Sequence, residues 1–339
     1  MKENIADKLI KKNTLREPSE KLPEITDGMW NEVLEEHRLL TQEYFEVNSQ
    51  LSPKTIIQYI SCMRHFFYWV HIILKDKHIS QITKRDFLRY IGYLDSKGMS
   101  SSAKSLKKSV VSSLCNYIEN VLLDEVVEYK YFRNFTKGLP SIPKNQTYEK
   151  IKITREEYKL MIDTLIENEN YMGAAWVAVA WNVGARRNEI RQFKCEILDY
   201  VIPKGQNYVL SHIVRGKGFS IDGKSLKYMI NMDALKYIRM WINNRGYDNN
   251  YIFTVKQNSQ IDMISETWAD KFCSRVLSKI LGRRINPHIF KSSCISTLLE
   301  DGVDLVLVSK YIAQHNDIST TSKFYDLRDF EEEKNKIFK

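Results

Sequence analysis

The 339-residue sequence predicts a mainly α-helical protein with one small antiparallel β-sheet, divided into two domains. Three observations carry this. Apolar residues recur at three- and four-residue spacing behind recognisable helix starts through most of the chain. β-like stretches are confined to residues 195–232. The segment GLPSIPKNQTYEK at 138–150 combines glycine, two prolines and polar residues, as interdomain linkers do.

Residues 1–27 carry six acidic and six basic side chains around Pro18 and Pro23 with little periodicity, and read as a mobile arm. A helix begins near Asp27 (GMWNEVLEEHRLLTQEYF), with Trp30, Val33, Leu39 and Leu40 as its apolar positions. Ser52 is the next N-cap, with Pro53 at the first helical position, where its missing N–H costs nothing. Ile56, Ile57, Ile60, Met63, Phe67 and Val70 follow as one stripe. Thr83 with Asp86 three residues on repeats the start signal ahead of Phe87, Leu88, Ile91 and Leu94, and Gly98 supplies the stop. A fourth helix runs through SAKSLKKSVVSSLCNYIENVLL, which completes a helical domain over 28–137.

After the linker, a second domain spans 151–326, and 327–339 form a tail. Thr154 and Glu157 make a capping box. The helix YMGAAWVAVAWNVGARRNEI is apolar until Gly184, where arginines appear abruptly. CEILDYVI, YVLSHIV and LKYMINM are the β-like stretches, with turns near Gly205 and Gly223. From Asp233 the pattern is helical again, interrupted by YIFTV.

Composition narrows the function. Hydrophobic residues are 43% of the chain, enough for a core in each domain, which excludes a wholly disordered protein. Lys and Arg number 51 against 42 Asp and Glu, and the net +9 suits a polyanionic partner. Residues 51–140 alone hold 14 basic against 7 acidic side chains; a solvated face and a phosphate-facing surface stand as equal readings of that run. No apolar stretch approaches the roughly 20 residues of a membrane span. The opening MKENIADKLIKKNTLREPSEK lacks the apolar centre of a signal peptide. The five cysteines form no CxxC pair and are odd in number, which argues against zinc ribbons and disulfide scaffolds. A soluble, cytoplasmic protein is expected.

Four places stand out from a plain helical domain. Gly184-Ala185-Arg186-Arg187-Asn188-Glu189 puts guanidinium where a buried helix ends, with Glu189 spaced to hold Arg186. Arg215-Gly216-Lys217-Gly218 exposes an ammonium at a tight turn. Pro287-His288-Ile289-Phe290-Lys291 places His288 and Lys291 on one face of a helix start. His315 is followed ten residues later by Tyr325. Each alone is weak: arginines after helices are mostly surface charges, GKG turns are ordinary hairpins, and Tyr325 is one of 19 tyrosines.

As an ordered set, Arg186 with Glu189, Lys217, His288 with Lys291, His315 and Tyr325 resemble the active site of the tyrosine recombinases, the phage-integrase family. The segment before the linker resembles that family's SAM-like core-binding domain, including Thr55, Tyr59, Phe66 and Trp69. The resemblance implies a core-binding domain and a catalytic domain closing around double-stranded DNA, and strand cleavage through a 3′-phosphotyrosyl bond. Tyr325 would be the nucleophile, and Arg186, His288 and His315 would hold phosphate oxygens or move the tyrosine proton. Lys217, on a mobile hairpin, would protonate the leaving oxygen. It further implies a homotetramer at synapsis, accessory DNA-bending proteins in some systems, and no metal, ATP or other cofactor. The C-terminal tail, with Leu327, Phe330, Ile337 and Phe338 as anchors, would dock on a neighbouring protomer or fray as a terminal helix.

Two departures qualify the resemblance. Lys291 stands where the family's second arginine sits, keeping charge but losing the planar fork. Ala313-Gln314 replaces Leu-Gly before His315, and the ten-residue step to Tyr325 is about one residue longer than the family's. Tyr311, the other nearby tyrosine, falls in the apolar pattern of Leu305, Val308 and Ile312 and reads as core, while Tyr325 lies in a polar, exposed stretch. A strand-exchange enzyme of a mobile element is the first reading. A catalytically weakened DNA-binding protein of the same fold and a hairpin-forming telomere resolvase are the alternatives. A metal nuclease is disfavoured, since no carboxylate cluster has ligand spacing.

Overall fold

A computed structural model describes residues 22–143, 151–218, 223–258 and 260–328. The chain divides into two compact units, one within residues 15–148 and the other within 149–339.

The first unit is all helical. Its core is aromatic: Phe66, Phe67, Phe87 and Tyr90 are fully buried, with Trp69, Phe132 and Phe135 beside them. The single helix expected near Asp27 is two, α1 (Asp27–Glu32) and α2 (Glu35–Val47), because the chain is extended at Val33. The break buries Val33 and Leu40 but leaves Leu39 exposed, contrary to the expected stripe. α3 (Pro53–Leu74) starts as read: the Ser52 hydroxyl accepts from the Thr55 N–H. Met63, Phe67 and Val70 are buried, whereas Ile57 is 69% exposed, a turn outside the core face. α4 (Lys84–Ser96) carries the Thr83–Asp86 capping box, with Phe87 and Leu94 inside and Leu88 outside. Gly98 is left-handed, at φ +67°. α5 (Ser101–Tyr117) runs on as a π-helical turn, Ile118–Leu122. The basic surplus is not purely a solvated face. Lys104 is buried in an ion pair with Asp95, and Lys107 is buried with its pKa lowered by desolvation.

The second unit is built around α7 (Tyr171–Val183), which is apolar on every side and therefore surrounded. α6 (Arg155–Glu167) begins with the Thr154–Glu157 capping box and packs against it. α7 ends at Gly184, whose φ of +66° suits glycine; a Cβ there would meet Ile312 Cγ2 at 2.8 Å. The short α8 (Arg187–Ile190) follows directly.

The expected single sheet is corrected. CEILDYVI is a 3₁₀ turn (Cys195–Asp199): only Ile197 is buried there, and the antiparallel pairing of Phe193–Cys195 with Asn250–Ile252 goes no further than Cys195. β1 (Tyr208–Leu210) pairs antiparallel with β4 (Met229–Asn231), and β2 (Val214–Gly216) with β3 (Lys224–Leu226). Ser211 to Ile213 interrupt what read as one strand. Next come α9 (Met232–Asn244) and a second hairpin, β5 (Thr254–Gln257) with β6 (Gln260–Met263), of which YIFTV marked only the first half. α10 (Trp268–Phe272) continues through a π-helical turn to Ile280. α11 (Pro287–Glu300), α12 (Leu305–Leu307) with its π-helical continuation to Ala313, and α13 (Ile318–Tyr325) complete the unit. Residues 1–21, the linker residues 144–150, and Phe330, Ile337 and Phe338 lie outside the described residues. Among those described, no helix is long and apolar enough to cross a membrane.

Candidate active site

Gly184 turns the chain off the central helix and places Arg186 at the N-cap of α8. There the Glu189 carboxylate accepts from the Arg186 N–H at 2.6 Å and from its guanidinium at 3.2 Å. Glu189 is 1% exposed and also accepts from the Tyr228 hydroxyl at 2.5 Å. Arg186 is thus fixed at both backbone and side chain, with its guanidinium still partly open to solvent.

His288 and Lys291 enter on the first turn of α11, started by Pro287 and by the Asn286 side chain, which accepts from the His288 and Ile289 N–H groups. The two diverge in role. His288 Nε2 lies 3.3 Å from the Tyr325 hydroxyl. Lys291 is 1% exposed and donates to the Ala313 carbonyl at 2.8 Å. His315 packs against the Tyr325 ring, centroids 4.7 Å apart. Its Nδ1 is 2.8 Å from the Thr321 hydroxyl, which in turn donates to Ser309 Oγ, so that Nδ1 is the donor and Nε2 carries the lone pair of the neutral ring. That Nε2 is buried and has no hydrogen-bond partner among the described residues. Arg186, Arg187, Asp270, Asn286, Pro287, His288 and Lys291 line a cleft of about 410 Å³, and an Arg187–Asp270 ion pair stands at its edge.

Two expectations are corrected. Tyr325 is buried, 7% exposed, because α13 folds it onto His288 and His315. Tyr311, read as core, is 48% exposed and sits beside the Lys310 ammonium. Contact with the histidines, rather than exposure, is what distinguishes Tyr325.

Arg186, Glu189, His288, Lys291, His315 and Tyr325 therefore come together from three separated stretches of chain. Lys217 is exposed just beyond β2, and Arg215 and Gly216, read as part of a tight turn with it, lie in that strand; residues 219–222 that follow lie outside the described residues. Lys224 was missed. It faces Gly216 across the β2–β3 ladder, and its ammonium reaches the Gln314 carbonyl at 3.2 Å and Asn316 Oδ1 at 2.7 Å. A lysine seven residues after Lys217, on the returning strand, was the available signal.

Burial and neighbouring cations set the electrostatics of the site. Burial, then the Lys291 and Arg186 charges, lower the His315 pKa to about 4, with Lys224 and His288 acting the same way. His288 is lowered by burial and by Lys291 and Arg186. Lys291 is lowered to about 8 by burial and by Arg186, against the pull of Glu189. Burial raises Tyr325, with Arg186 opposing. Near neutral pH the histidines are uncharged, the tyrosine is protonated, and cations surround an unpartnered ring nitrogen. Among the described residues no group of three or more His, Cys, Asp or Glu could hold a metal ion.

Residues 152–331 match the phage integrase family, and residues 42–119 match the N-terminal SAM-like domain of phage integrases. The chain is 57% identical over 332 residues to the SPbeta prophage-derived recombinase-like protein YomM of Bacillus subtilis (strain 168), covering 98% of this chain and 99% of that one. It is 28% identical to the tyrosine recombinase XerA of Pyrococcus furiosus, over 76% and 81% of the two chains. Among solved structures, the Tn1549 transposon integrase in complex with transposon right end DNA superposes with a TM-score of 0.66 at 17% identity, covering 89% of this chain and 98% of that one. The XerH site-specific recombinase bound to its palindromic difH substrate superposes at 0.62 and 17%, covering 94% and 99%.

Proposed function

Since the chain belongs to the phage integrase family, we propose that it is a site-specific DNA recombinase of a mobile element, cutting and rejoining strands through a 3′-phosphotyrosyl bond on Tyr325. The observation that carries this reading is the Tyr325 hydroxyl, 3.3 Å from a histidine of the same chain and beside a second one.

In this reading Tyr325 Oη attacks the scissile phosphorus, forming the O–P bond as the bond to the 5′ oxygen breaks. The phenolic proton passes to neutral His288 Nε2, whose lowered pKa keeps its lone pair free. Arg186, held by Glu189, takes two non-bridging oxygens. His315 Nε2 acquires a proton as the phosphate charge arrives, and donates to a third contact. Lys217 supplies the proton to the departing 5′ oxygen. The phosphotyrosyl linkage conserves the energy of the broken bond, so rejoining needs neither ATP nor a metal. Double-stranded DNA is the substrate, gripped by both units, and a tetramer on two paired sites is the expected assembly.

One observation favours a second reading, a DNA-binding protein with weakened chemistry. Lys291, in the wall of the cleft, is only 1% exposed and donates to a main-chain carbonyl. A nicked suicide duplex made from the DNA flanking the gene separates the two. The recombinase reading expects a denaturation-resistant protein–DNA adduct in chelator, absent in Tyr325→Phe. Binding of the duplex with no adduct in wild type or in Lys291→Arg selects the second reading.

A further inference from the structure

The β2–β3 hairpin is fastened at both sides. On the α8 side, the Gln192 side-chain amide accepts from the Arg215 N–H and donates to the Arg215 carbonyl, both at 2.9 Å. On the other side, Lys224 reaches Gln314 and Asn316, and the Gln314 side-chain amide donates back to the Lys227 carbonyl. The residues joined lie some ninety positions apart in sequence, and the two loop residues flank His315.

Gln314 is an unexpected residue for its backbone. Its φ of +54° and ψ of +39° are left-handed, a region where glycine is free and a side chain is strained. Glycine would cap α12 without strain but would carry no amide to reach Lys227. Strain retained alongside a specific bond points to a use for that bond.

We propose that Gln314 and Lys224 are positioning residues: they clasp the His315 loop to the base of the β2–β3 hairpin, so that hairpin and histidine are placed as one unit. The inference rests on the recombinase reading for its purpose, though not for its test. If Lys217 and His315 act on opposite oxygens of one phosphate, a rigid link between their supports allows the site to assemble in a single step, when DNA seats the hairpin. The clasp is made of two bonds. Lys224 alone anchors the loop carbonyl, and Gln314 alone anchors the hairpin carbonyl.

Amide hydrogen exchange on the full chain tests the coupling without requiring cleavage. Lys224→Met and Gln314→Gly are each expected to speed exchange about tenfold at both 224–231 and 314–317, whereas Lys224→Arg, which keeps two donors, leaves both protected. Unchanged protection in α7 confirms that a variant has folded. Gln314→Asn, which tolerates the left-handed backbone but is one methylene shorter, stands in if Gln314→Gly does not fold, with the same expectation. Faster exchange confined to the segment carrying the substitution overturns the proposal. Where wild type forms the covalent adduct, Lys224→Met and Gln314→Gly should slow it about tenfold at unchanged DNA affinity, with Lys224→Arg restoring the rate. Lost affinity at an unchanged rate overturns the proposal. A wild type that forms no adduct removes the recombinase reading and leaves the exchange result standing.

Discussion

Replacing Lys291 with methionine should stabilise the second unit near neutral pH while removing its chemistry. Lys291 is 1% exposed, and its pKa is lowered from 10.5 to about 8, chiefly by burial and then by the Arg186 charge. A base depressed that far has its charged form penalised by about 3 kcal/mol in the folded chain. Methionine fills nearly the same volume and removes that cost, but it leaves the Ala313 carbonyl without its donor, a loss of about 1–3 kcal/mol. The net change at pH 7 is then between zero and about 2 kcal/mol of added stability, or a rise in Tm of up to about 8 °C for a unit of this size. The pH dependence isolates the cause. Below pH 8 the amine is charged in both folded and unfolded chains and the penalty is complete. Between 8 and 10.5 the unfolded chain binds more proton than the folded one, so wild-type stability rises with pH. About 2 kcal/mol of the penalty is recovered by pH 9.5, so the difference between wild type and Lys291→Met, which cancels every other titration, shrinks by that amount. Urea unfolding at pH 7 and 9.5 on both proteins measures it. Parallel profiles, or a methionine variant more than about 3 kcal/mol weaker at pH 7, would refute the desolvated-ammonium account. Adduct formation in the same variant should fall by about 10²-fold or more, the scale for one lost preorganised donor.

Other expectations follow from the same site. Glu189→Gln keeps the shape but removes the charge that accepts from Arg186 and Tyr228, and should cost about 2–4 kcal/mol in chemical unfolding, with slowed adduct formation. Gly184→Ala meets both the left-handed backbone and Ile312, and should lose about 2–4 kcal/mol, read as a fall in Tm. His315, with its free-state pKa near 4, should take up a proton when a phosphate arrives, so DNA affinity strengthens as pH falls. Titration calorimetry in two buffers of different ionisation enthalpy counts that proton, and His315→Gln should abolish the uptake. Lys291→Arg should accelerate adduct formation, measured on the suicide duplex, by less than the roughly 10²-fold that one preorganised donor supplies.

Much of this architecture is legible in the sequence because helix starts are local chemistry. Ser52, Thr83 and Thr154 cap as their spacing requires, and the uniformly apolar helix before Gly184 had to be the central one. What local chemistry cannot supply is a partner. CEILDYVI has the composition of a strand, but its pairing ends where the Cys195 N–H donates to the Asn250 carbonyl, and it closes as a 3₁₀ turn. YIFTV needed β6 beyond it to be recognised as half of a hairpin. The two tyrosines failed on the same ground. Polarity of the flanking residues placed Tyr325 outside and Tyr311 inside, but α13 turns Tyr325 onto two histidines that arrive from other elements. Order along the chain gathered the candidate residues, since a set of roles constrains sequence more tightly than any one of its members. Lys224 escaped because its two partners lie on a loop some ninety residues away.

The two departures from the family pattern turn out to be adjacent in space. The ammonium of Lys291 donates to the carbonyl of Ala313, the residue before Gln314, and Gln314 joins the hairpin. Lysine at 291 offers three donors at one point, where arginine would present a planar fork to a phosphate. That buried point charge donates to a main-chain oxygen at the end of α12, and the end of α12 is where the unusual pair begins. A strained left-handed glutamine after that carbonyl and a buried lysine beneath it therefore form one arrangement rather than two separate losses. This is why the single reversion is expected to restore less than a whole preorganised donor. An arginine placed alone would meet a carbonyl and a loop fastened for lysine, which leave only part of its fork turned toward the cleft.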